Sequence, residues 1–286
     1  MKNFFIYRIF TLPFDLELLS GILWDFDITG LMEDDDHITV FTSGKSKDNE
    51  IQFEEALNKL KLEKIINSFK IEKEILKDQN WNKLWEKSRD VIHVSDRIVV
   101  KPTFKSYQAK KNEIILTIDP KMSFGTGEHQ TTKLMLIMLE KIVKPEMIVL
   151  DVGSGTGILS IAAIKLGAKK AVAVDFDEIC LENCSENSVL NKVQNSIEIF
   201  TGEIDLVKEN NFDLVIANIQ KNVLIEIAEN ISNRLNQNGK IILSGLLVSD
   251  RTAIEKIYHS LGFQTMQVEQ MDEWIAILFC RENPGY

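Results

Sequence analysis

The stretch Ile148-Val-Leu-Asp-Val-Gly-Ser-Gly-Thr-Gly157 predicts a buried β-strand that runs directly into a glycine-rich turn. Eighteen residues after Gly157, a second apolar strand over 171–174 ends on Asp175. A strand, a glycine loop, a helix and a second strand ending on an acid form the nucleotide-binding half of an open α/β sheet. Glycines at positions 153, 155 and 157 let the backbone approach a ligand closely, because a Cβ there would block it.

The acid and the glycine spacing together indicate the kind of ligand. Asp175, at the tip of its strand, is placed to accept both hydroxyls of a ribose. The Gly-x-Gly-x-Gly spacing differs from the Gly-x-Gly-x-x-Gly of dinucleotide-binding proteins, and Asp151 ends the first strand. We therefore predict S-adenosylmethionine, in which a single cationic sulfonium replaces the pyrophosphate. The alternative, a structural turn with chance glycines, would make the paired Asp175 a coincidence.

A second motif, Ser123-Phe-Gly-Thr-Gly-Glu-His-Gln-Thr-Thr132, lies just before the first helix predicted beyond residue 119. It contains two glycines, four hydroxyl side chains and a histidine, at a helix start where backbone amides lack partners. Helix capping would need only Thr131 or Gln130, so the excess of polar groups favours a loop folded over a ligand. His129 is a candidate proton acceptor, with bracing of this loop as the alternative role.

A third candidate residue, Asn218, follows the apolar strand predicted over 212–217. In such a sheet this strand ends beside the methyl group of the bound cofactor. An amide oxygen at that point can accept a substrate N–H and so orient an amine lone pair. Asparagine at a strand end is also a common turn former, so the residue alone leaves both interpretations open.

The composition of the 286-residue chain is that of a globular protein, with 44% hydrophobic and 27% charged residues. No uncharged apolar run approaches the ~18 residues of a membrane span, and Arg8 interrupts the N-terminal apolar stretch too early for a signal peptide. We therefore expect a cytoplasmic protein without membrane association, and take it to be a monomer. The net charge of −10 disfavours nucleic-acid binding and fits a cationic partner. Cys180 and Cys184 have no further Cys or His beside them, so no metal site is expected.

The chain is predicted to contain two folded domains and a connector. Residues 1–77 carry the pattern strand, helix, strand, strand, helix, strand of a small ferredoxin-like α+β domain. Residues 78–118 form the connector, in which Trp81 and Trp85 are expected to pack a joint rather than stack on a ligand. Strands and helices alternate over 119–286, which predicts an α/β domain with a mostly parallel sheet and an antiparallel edge.

The N-terminal domain is the acidic part of the chain. Residues 1–78 contain ten Lys or Arg and sixteen Asp or Glu, which gives a net charge of −6. An acidic domain would aid the encounter with a basic protein partner. Shielding of the catalytic sheet is the alternative role for this domain.

A series of motifs, spread over most of the chain, resembles one known family. The motifs are Trp81-x-x-x-Trp85, Phe124-Gly-Thr-Gly-x-His-x-Thr-Thr132, Leu150-Asp-Val-Gly-Ser-Gly-Thr-Gly-Ile-Leu-Ser-Ile-Ala-Ala163, Leu166-Gly-Ala168, Val174-Asp-x-Asp177, Ala217-Asn-Ile219, Gly239, Leu243-Ser-Gly-Leu246 and Glu273-Trp274. The family is that of the methyltransferases that modify ribosomal protein L11, the stalk-base protein of the large subunit. The motif that begins at Phe124 is the specific one, whereas the glycine loop alone indicates a class I methyltransferase.

The resemblance implies a class I, Rossmann-like methyltransferase domain with a seven-stranded, mostly parallel sheet. It also implies transfer of methyl groups from S-adenosylmethionine to amines of L11, on lysine side chains or at the α-amine. Cofactor contacts are implied at Thr132, Gly153, Asp175 and Asn218, three of which agree with the placement argued from the residues. With both glycine motifs, the predicted cofactor-binding residues are Phe124, Gly125, Thr126, Gly127, Thr132, Asp151, Gly153, Gly155, Asp175 and Asn218. The predicted catalytic residues are Asn218 and His129.

The chain departs from the family pattern in residues expected at the walls of the cleft. Pro120-Lys-Met-Ser123 stands where the family usually has Pro-Gly-x-Ala, Gln220 replaces a leucine, and Ser154 replaces a cysteine. Substrate choice is therefore open, and lysines of a different protein are one alternative. A nucleic-acid amine ranks lower, because Asn218-Ile-Gln-Lys221 lacks the prolines and aromatic residue that hold a flipped base. A non-catalytic cofactor-binding or ribosome-assembly module is the third alternative, and the presence of the ribose acid and Asn218 argues against it.

Overall fold

A computed structural model gives the structure of the protein and describes residues 3–23, 26, 28, 30–34, 36–43, 46–77, 90–119 and 125–281. The chain divides into two compact units, residues 1–89 and residues 90–286. Trp81 and Trp85, for which the sequence predicts a packing role, lie outside the described residues, as does Phe124.

The first unit is a four-stranded antiparallel sheet with two helices. Its elements are β1 (Asn3–Leu12), α1 (Leu16–Leu23), β2 (Gly30–Glu33), β3 (Ile38–Ser43), α2 (Ser46–Leu62) and β4 (Ser68–Lys77). The strands lie in the order β2-β3-β1-β4, and each neighbouring pair is antiparallel. This is the ferredoxin-like arrangement that the sequence predicted.

Alternation along β1 explains how this unit buries its core. Phe5, Tyr7 and Ile9 point to one face of the sheet and pack with the buried residues of α1 and α2. The second helix ends at Leu62. Lys64 adopts a left-handed conformation with a φ of 59°, and the N–H of Ile65 donates to the carbonyl of Leu60. That arrangement closes the helix without a glycine.

The second unit contains a three-stranded and a seven-stranded sheet. Its elements are β5 (Ile92–His93), β6 (Ile98–Lys101), β7 (Ile114–Thr117), α3 (Gln130–Ile142), β8 (Ile148–Val152), α4 (Ile158–Lys165), β9 (Lys170–Asp175), α5 (Glu178–Leu190), β10 (Ile197–Thr201), β11 (Phe212–Asn218), α6 (Lys221–Glu226), α7 (Ala228–Arg234), β12 (Leu235–Leu247), α8 (Arg251–Ser260), β13 (Phe263–Met271) and β14 (Trp274–Arg281). Within the described ranges, every helix is too short or too polar to cross a lipid bilayer.

The strand order of the large sheet fixes where a ligand can bind. The order is β10-β9-β8-β11-β12-β14-β13, and β14 runs antiparallel to the other six strands. Strand β8 lies between β9 and β11, both parallel to it, and its residues Val149 and Leu150 enter separate apolar cores. Strand order reverses at β8, so a crevice opens outside the carboxyl ends of β8 and β11. The seven-stranded, mostly parallel sheet predicted from the sequence is confirmed.

Candidate functional site

The glycine loop after β8 turns tightly at the mouth of the crevice. Gly153 and Gly155 have φ values of 73° and 53°, in the left-handed region where glycine has no steric cost. The N–H groups of Gly153 and Ser154 donate to the carbonyl of Val174 at 2.9 and 3.2 Å, which anchors the loop to the end of β9. A Cβ on Gly153 would overlap Cγ2 of Ile219, so the loop after β11 also packs directly on this glycine.

Asp175 ends β9, and both of its carboxylate oxygens face backbone amides. Oδ2 accepts a hydrogen bond from the N–H of Gly155 at 2.8 Å, and Oδ1 accepts one from Asp177 at 3.1 Å. The residue is largely buried, with 8% of its surface exposed. Each carboxylate oxygen keeps a further lone pair, so this fixed acid can still accept hydroxyl groups from a ligand.

The second glycine motif lies against the first. The hydroxyl of Thr156 donates to the carbonyl of Gly125 at 2.7 Å, across 31 positions of sequence. Gly125 and Gly127 have φ values of 104° and 87°, and a Cβ on Gly125 would approach the Thr156 hydroxyl to 2.6 Å. The structure therefore brings together two motifs that the sequence presents separately. Thr126 lies in the same loop, where its hydroxyl accepts a hydrogen bond from the N–H of Glu128 at 3.3 Å.

His129 caps the helix that follows this loop. Its Nδ1 accepts a hydrogen bond from the N–H of Thr131 at 3.3 Å and lies 2.8 Å from the hydroxyl of the same residue. The imidazole ring packs edge-on against Trp274, with ring centroids 4.9 Å apart. The amide of Gln130 donates to Asp272 in the turn before Trp274. These contacts fix the ring of His129 at the start of α3.

Three residues predicted from the sequence as ligand contacts carry buried polar atoms without partners. In the described part of the chain, seven buried side-chain nitrogen or oxygen atoms make no hydrogen bond, and Thr132 Oγ1, Asp151 Oδ1 and Asn218 Oδ1 are among them. Such atoms are uncommon in native proteins and require an explanation. All three belong to elements that border the crevice, so a polar ligand bound there would supply the missing partners.

Asp151 lies beneath the glycine loop and is fully buried. Its Oδ2 accepts hydrogen bonds from the N–H and hydroxyl of Ser160, at 3.1 and 2.7 Å, near the start of α4. Burial raises the pKa of Asp151 to about 7, although the Ser160 bonds lower it and the negative charge of Asp175 adds to the rise. Near neutral pH the carboxyl is therefore poised to ionise when a cation arrives.

Asn218 is the last residue of β11 and is held from two sides. It pairs in register with Ser244 of β12, while the next residue, Ile219, packs on Gly153. Gly245 has a φ of 80°, and a Cβ there would overlap the carbonyl of Ile219. Asn218 therefore sits at a fixed distance from the glycine loop.

Some residues that shape the site carry no signal in the sequence. Thr156 occupies one of the two positions between the glycines of the Gly-x-Gly-x-Gly spacing, and only its bond to Gly125 reveals a role. Phe176 follows Asp175 directly and leaves 82% of its surface exposed. An exposed aromatic residue beside such an acid could have been noticed as a stacking surface for a base. Cys184 packs under Gly157, and burial raises the pKa of its thiol to about 12, which makes it a packing residue.

Comparisons with known proteins agree with this geometry. Residues 25–282 match the family described as ribosomal protein L11 methyltransferase (PrmA). A ribosomal protein L11 methyltransferase of Acetivibrio thermocellus is 39% identical over 203 residues, which are 71% of this chain and 64% of that protein. The one of Ruminiclostridium cellulolyticum is 36% identical over 276 residues, which are 93% of this chain and 87% of that protein. This chain thus spans less than two thirds of the former relative's length in the match.

A solved structure supports the fold assignment. The crystal structure of a ribosomal protein L11 methylase from Lactobacillus delbrueckii subsp. bulgaricus superposes with a TM-score of 0.65 at 31% identity, and covers 68% of this chain and all of that one. The class I methyltransferase fold predicted from the sequence is confirmed, and so is the family that its motifs resemble. The chain belongs to the ribosomal protein L11 methyltransferase family.

Proposed function

We propose that the protein transfers methyl groups from S-adenosylmethionine to amines of the large-subunit ribosomal protein L11, on lysine side chains or at the α-amine. The observation that carries this proposal is the set of unpartnered buried oxygens of Thr132, Asp151 and Asn218 around the switch-point crevice. The oxygen of Asp151 is an acceptor that suits a cationic cofactor, and the oxygen of Asn218 is an acceptor that suits a substrate amine. Family membership supplies the class of reaction and the expected substrate.

The residues around the crevice fit S-adenosylmethionine. Asp175 would accept the ribose hydroxyls, and the exposed ring of Phe176 would stack on the base. The backbone at Gly153 and Gly155 would lie close to the ligand. The side-chain oxygens of Asp151 and Thr132 would form hydrogen bonds with its polar groups. We place Gly125, Thr126 and Gly127 in the loop that covers the cofactor, and the contact expected at Phe124 from the sequence stays a prediction. When bound, the cofactor supplies an electrophilic methyl group on a sulfonium.

The chain must present a neutral amine to that methyl group. A lysine with an ordinary pKa of ~10.4 is almost wholly protonated at neutral pH and cannot act as a nucleophile. The free acceptor Oδ1 of Asn218 would take an N–H of the neutral amine and direct its lone pair. Alignment and exclusion of water then account for most of the rate gain, since the sulfonium is already activated. His129 is assigned to bracing, because it caps α3 and packs on Trp274.

The acidic N-terminal unit is proposed as the arm that recognises the substrate. Its net charge of −6 over residues 1–78 is complementary to a basic ribosomal protein. Opposite charge mainly raises the association rate and fixes orientation, and it is screened by salt. The predicted division into a recognition domain (1–77), a connector (78–118) and a methyltransferase domain (119–286) stays a proposal. We also propose that the protein acts as a cytoplasmic monomer.

The test of this function is incubation with S-adenosylmethionine labelled on the methyl group and ribosomes that lack the modification. Label in L11 supports the proposal. Label in another protein or in RNA would assign the acceptor to that molecule, and absence of label would indicate a non-catalytic module.

The fragment 90–286 should still bind the cofactor but methylate intact L11 poorly, and its residual rate should be insensitive to salt. An unchanged rate for the fragment would refute the docking role.

Cofactor affinity should depend on pH through Asp151. The carboxyl is mostly protonated below its pKa of about 7 and becomes a carboxylate as the pH rises through that value. A carboxylate attracts the cationic methionine part of the cofactor, so the dissociation constant should fall about fivefold to tenfold between pH 5.5 and 7.5. The predicted pH range ends at 7.5 because the α-amine of S-adenosylmethionine itself begins to lose its proton near pH 8.

Titration calorimetry on the wild type and Asp151→Asn would measure this effect. The amide cannot ionise, so the variant should bind weakly with an affinity that does not change over the same pH range. Equal pH dependence in both proteins would show that another group is responsible.

A further inference from the structure

One buried amide joins the two glycine motifs of the site. Asn187, on α5, has no exposed surface and uses both ends of its side chain. Its Oδ1 accepts a hydrogen bond from the N–H of Asp119 at 2.9 Å, and its Nδ2 lies 3.4 Å from the carbonyl of the same residue. The same Nδ2 donates to the carbonyl of Thr156 at 3.0 Å and to Asn183 at 3.1 Å. The side chain thus contacts residues 31 and 68 positions away in sequence.

Thr156 extends this connection to the second motif. Its carbonyl accepts from Asn187, while its hydroxyl donates to the carbonyl of Gly125. Asp119 and Gly125 flank residues 120–124 on either side. Asn187 holds Asp119 directly and Gly125 through Thr156. The backbone of the glycine loop and both flanks of this segment therefore share one buried hydrogen-bond network.

A second asparagine, which caps the C-terminus of the same helix, provides a natural comparison. Asn191 follows Asn187 by four residues and pairs with Thr117 in the same way, at 3.0 Å through Oδ1 and 2.6 Å through Nδ2. Its amide also donates to the carbonyl of Asn187 at 2.8 Å. Both asparagines hold the chain that leaves β7, yet the hydrogen bonds of Asn191 include none to Thr156.

We infer that Asn187 and Thr156 are positioning residues that hold the loop 125–129 against the glycine loop and thereby set the affinity for the cofactor. Neither is assigned to touch the cofactor through its side chain. The inference rests on the proposed cofactor site, because the loop matters only if it covers a bound ligand. A purely structural role would instead make Asn187 and Asn191 equivalent, since the two amides are buried one helical turn apart and bond in the same manner.

The matched variants Asn187→Ala and Asn191→Ala separate these roles. Each removes a buried amide, so both should lower the melting temperature by similar amounts. Only Asn187→Ala should weaken S-adenosylmethionine binding, by about tenfold in calorimetry, whereas Asn191→Ala should stay within about twofold of the wild type. Equal affinities for the two variants would overturn the inference. Failure of the wild type itself to bind would instead refute the proposed cofactor.

Should Asn187→Ala not fold, the pair Thr156→Val and Thr156→Ser provides an independent test. Valine has the shape of threonine without the hydroxyl, so the carbonyl of Gly125 loses its donor, while serine keeps that donor. The valine variant should bind S-adenosylmethionine about tenfold more weakly, and the serine variant should restore binding to near the wild-type value. Equal binding by the two variants would show that the link to Gly125 does not set affinity.

Discussion

Replacing Asp175 with alanine should weaken S-adenosylmethionine binding by well over tenfold, the largest loss of affinity that we expect from a single substitution. The carboxylate would lose two charge-assisted hydrogen bonds to ribose hydroxyls, each worth about 1.5–3 kcal/mol before water compensates. It also accepts the N–H of Gly155, so its removal would free the turn of the glycine loop. Both effects weaken cofactor binding.

Asp177→Ala is the matched control for this variant. Asp177 lies two residues further on and caps α5, where its carboxylate accepts the N–H of Ile179 at 2.9 Å. Its loss should cost about 1 kcal/mol of stability, as for other helix caps, with little change in cofactor affinity. Calorimetry on both variants, with circular dichroism to check the fold, would measure the difference. Unchanged affinity in Asp175→Ala, or equal losses in the two variants, would refute the ribose role.

The sequence predicts the parts of this site that depend on local pattern. A strand, a glycine turn and an acid at the next strand end have a short-range signature, because their geometry is set by residues close together in the chain. Asp175 and the loop 153–157 are therefore placed correctly next to each other. The mostly parallel sheet also follows from the alternation of strands and helices.

The connections between distant segments could not be predicted in this way. The bond from Thr156 to Gly125 and the network of Asn187 join residues far apart in sequence, and no periodicity marks them. The ends of helices and strands are also hard to predict where no glycine or proline marks them. The sequence after Lys221 forms two helices instead of one, because α6 gives way to α7 at Ile227, and β12 already begins at Leu235.

Asn218→Ala should lower turnover by about tenfold to a hundredfold while cofactor affinity changes little. The unpartnered Oδ1 at the end of β11 is the acceptor proposed for the substrate N–H. Alanine removes it, so the amine would enter without a fixed lone-pair direction, which affects the methyl-transfer step rather than the ground state of the cofactor. Single-turnover rates with saturating cofactor, together with calorimetry, separate the two effects. A loss of affinity with normal turnover would make Asn218 a binding residue only.

Asn218→Asp tests the same role through pH. Aspartate keeps an acceptor oxygen in place but adds a negative charge beside the amine. Such a charge favours the ammonium form and so raises the pKa of the substrate lysine. The rate of the wild type should climb between about pH 6 and 9 as more neutral amine forms, and in Asn218→Asp this rise should move to higher pH. Recovery of activity at high pH in the aspartate variant, but not in Asn218→Ala, would identify the oxygen of residue 218 as the group that contacts the reacting amine. Superimposable profiles for aspartate and wild type would place that oxygen away from the amine.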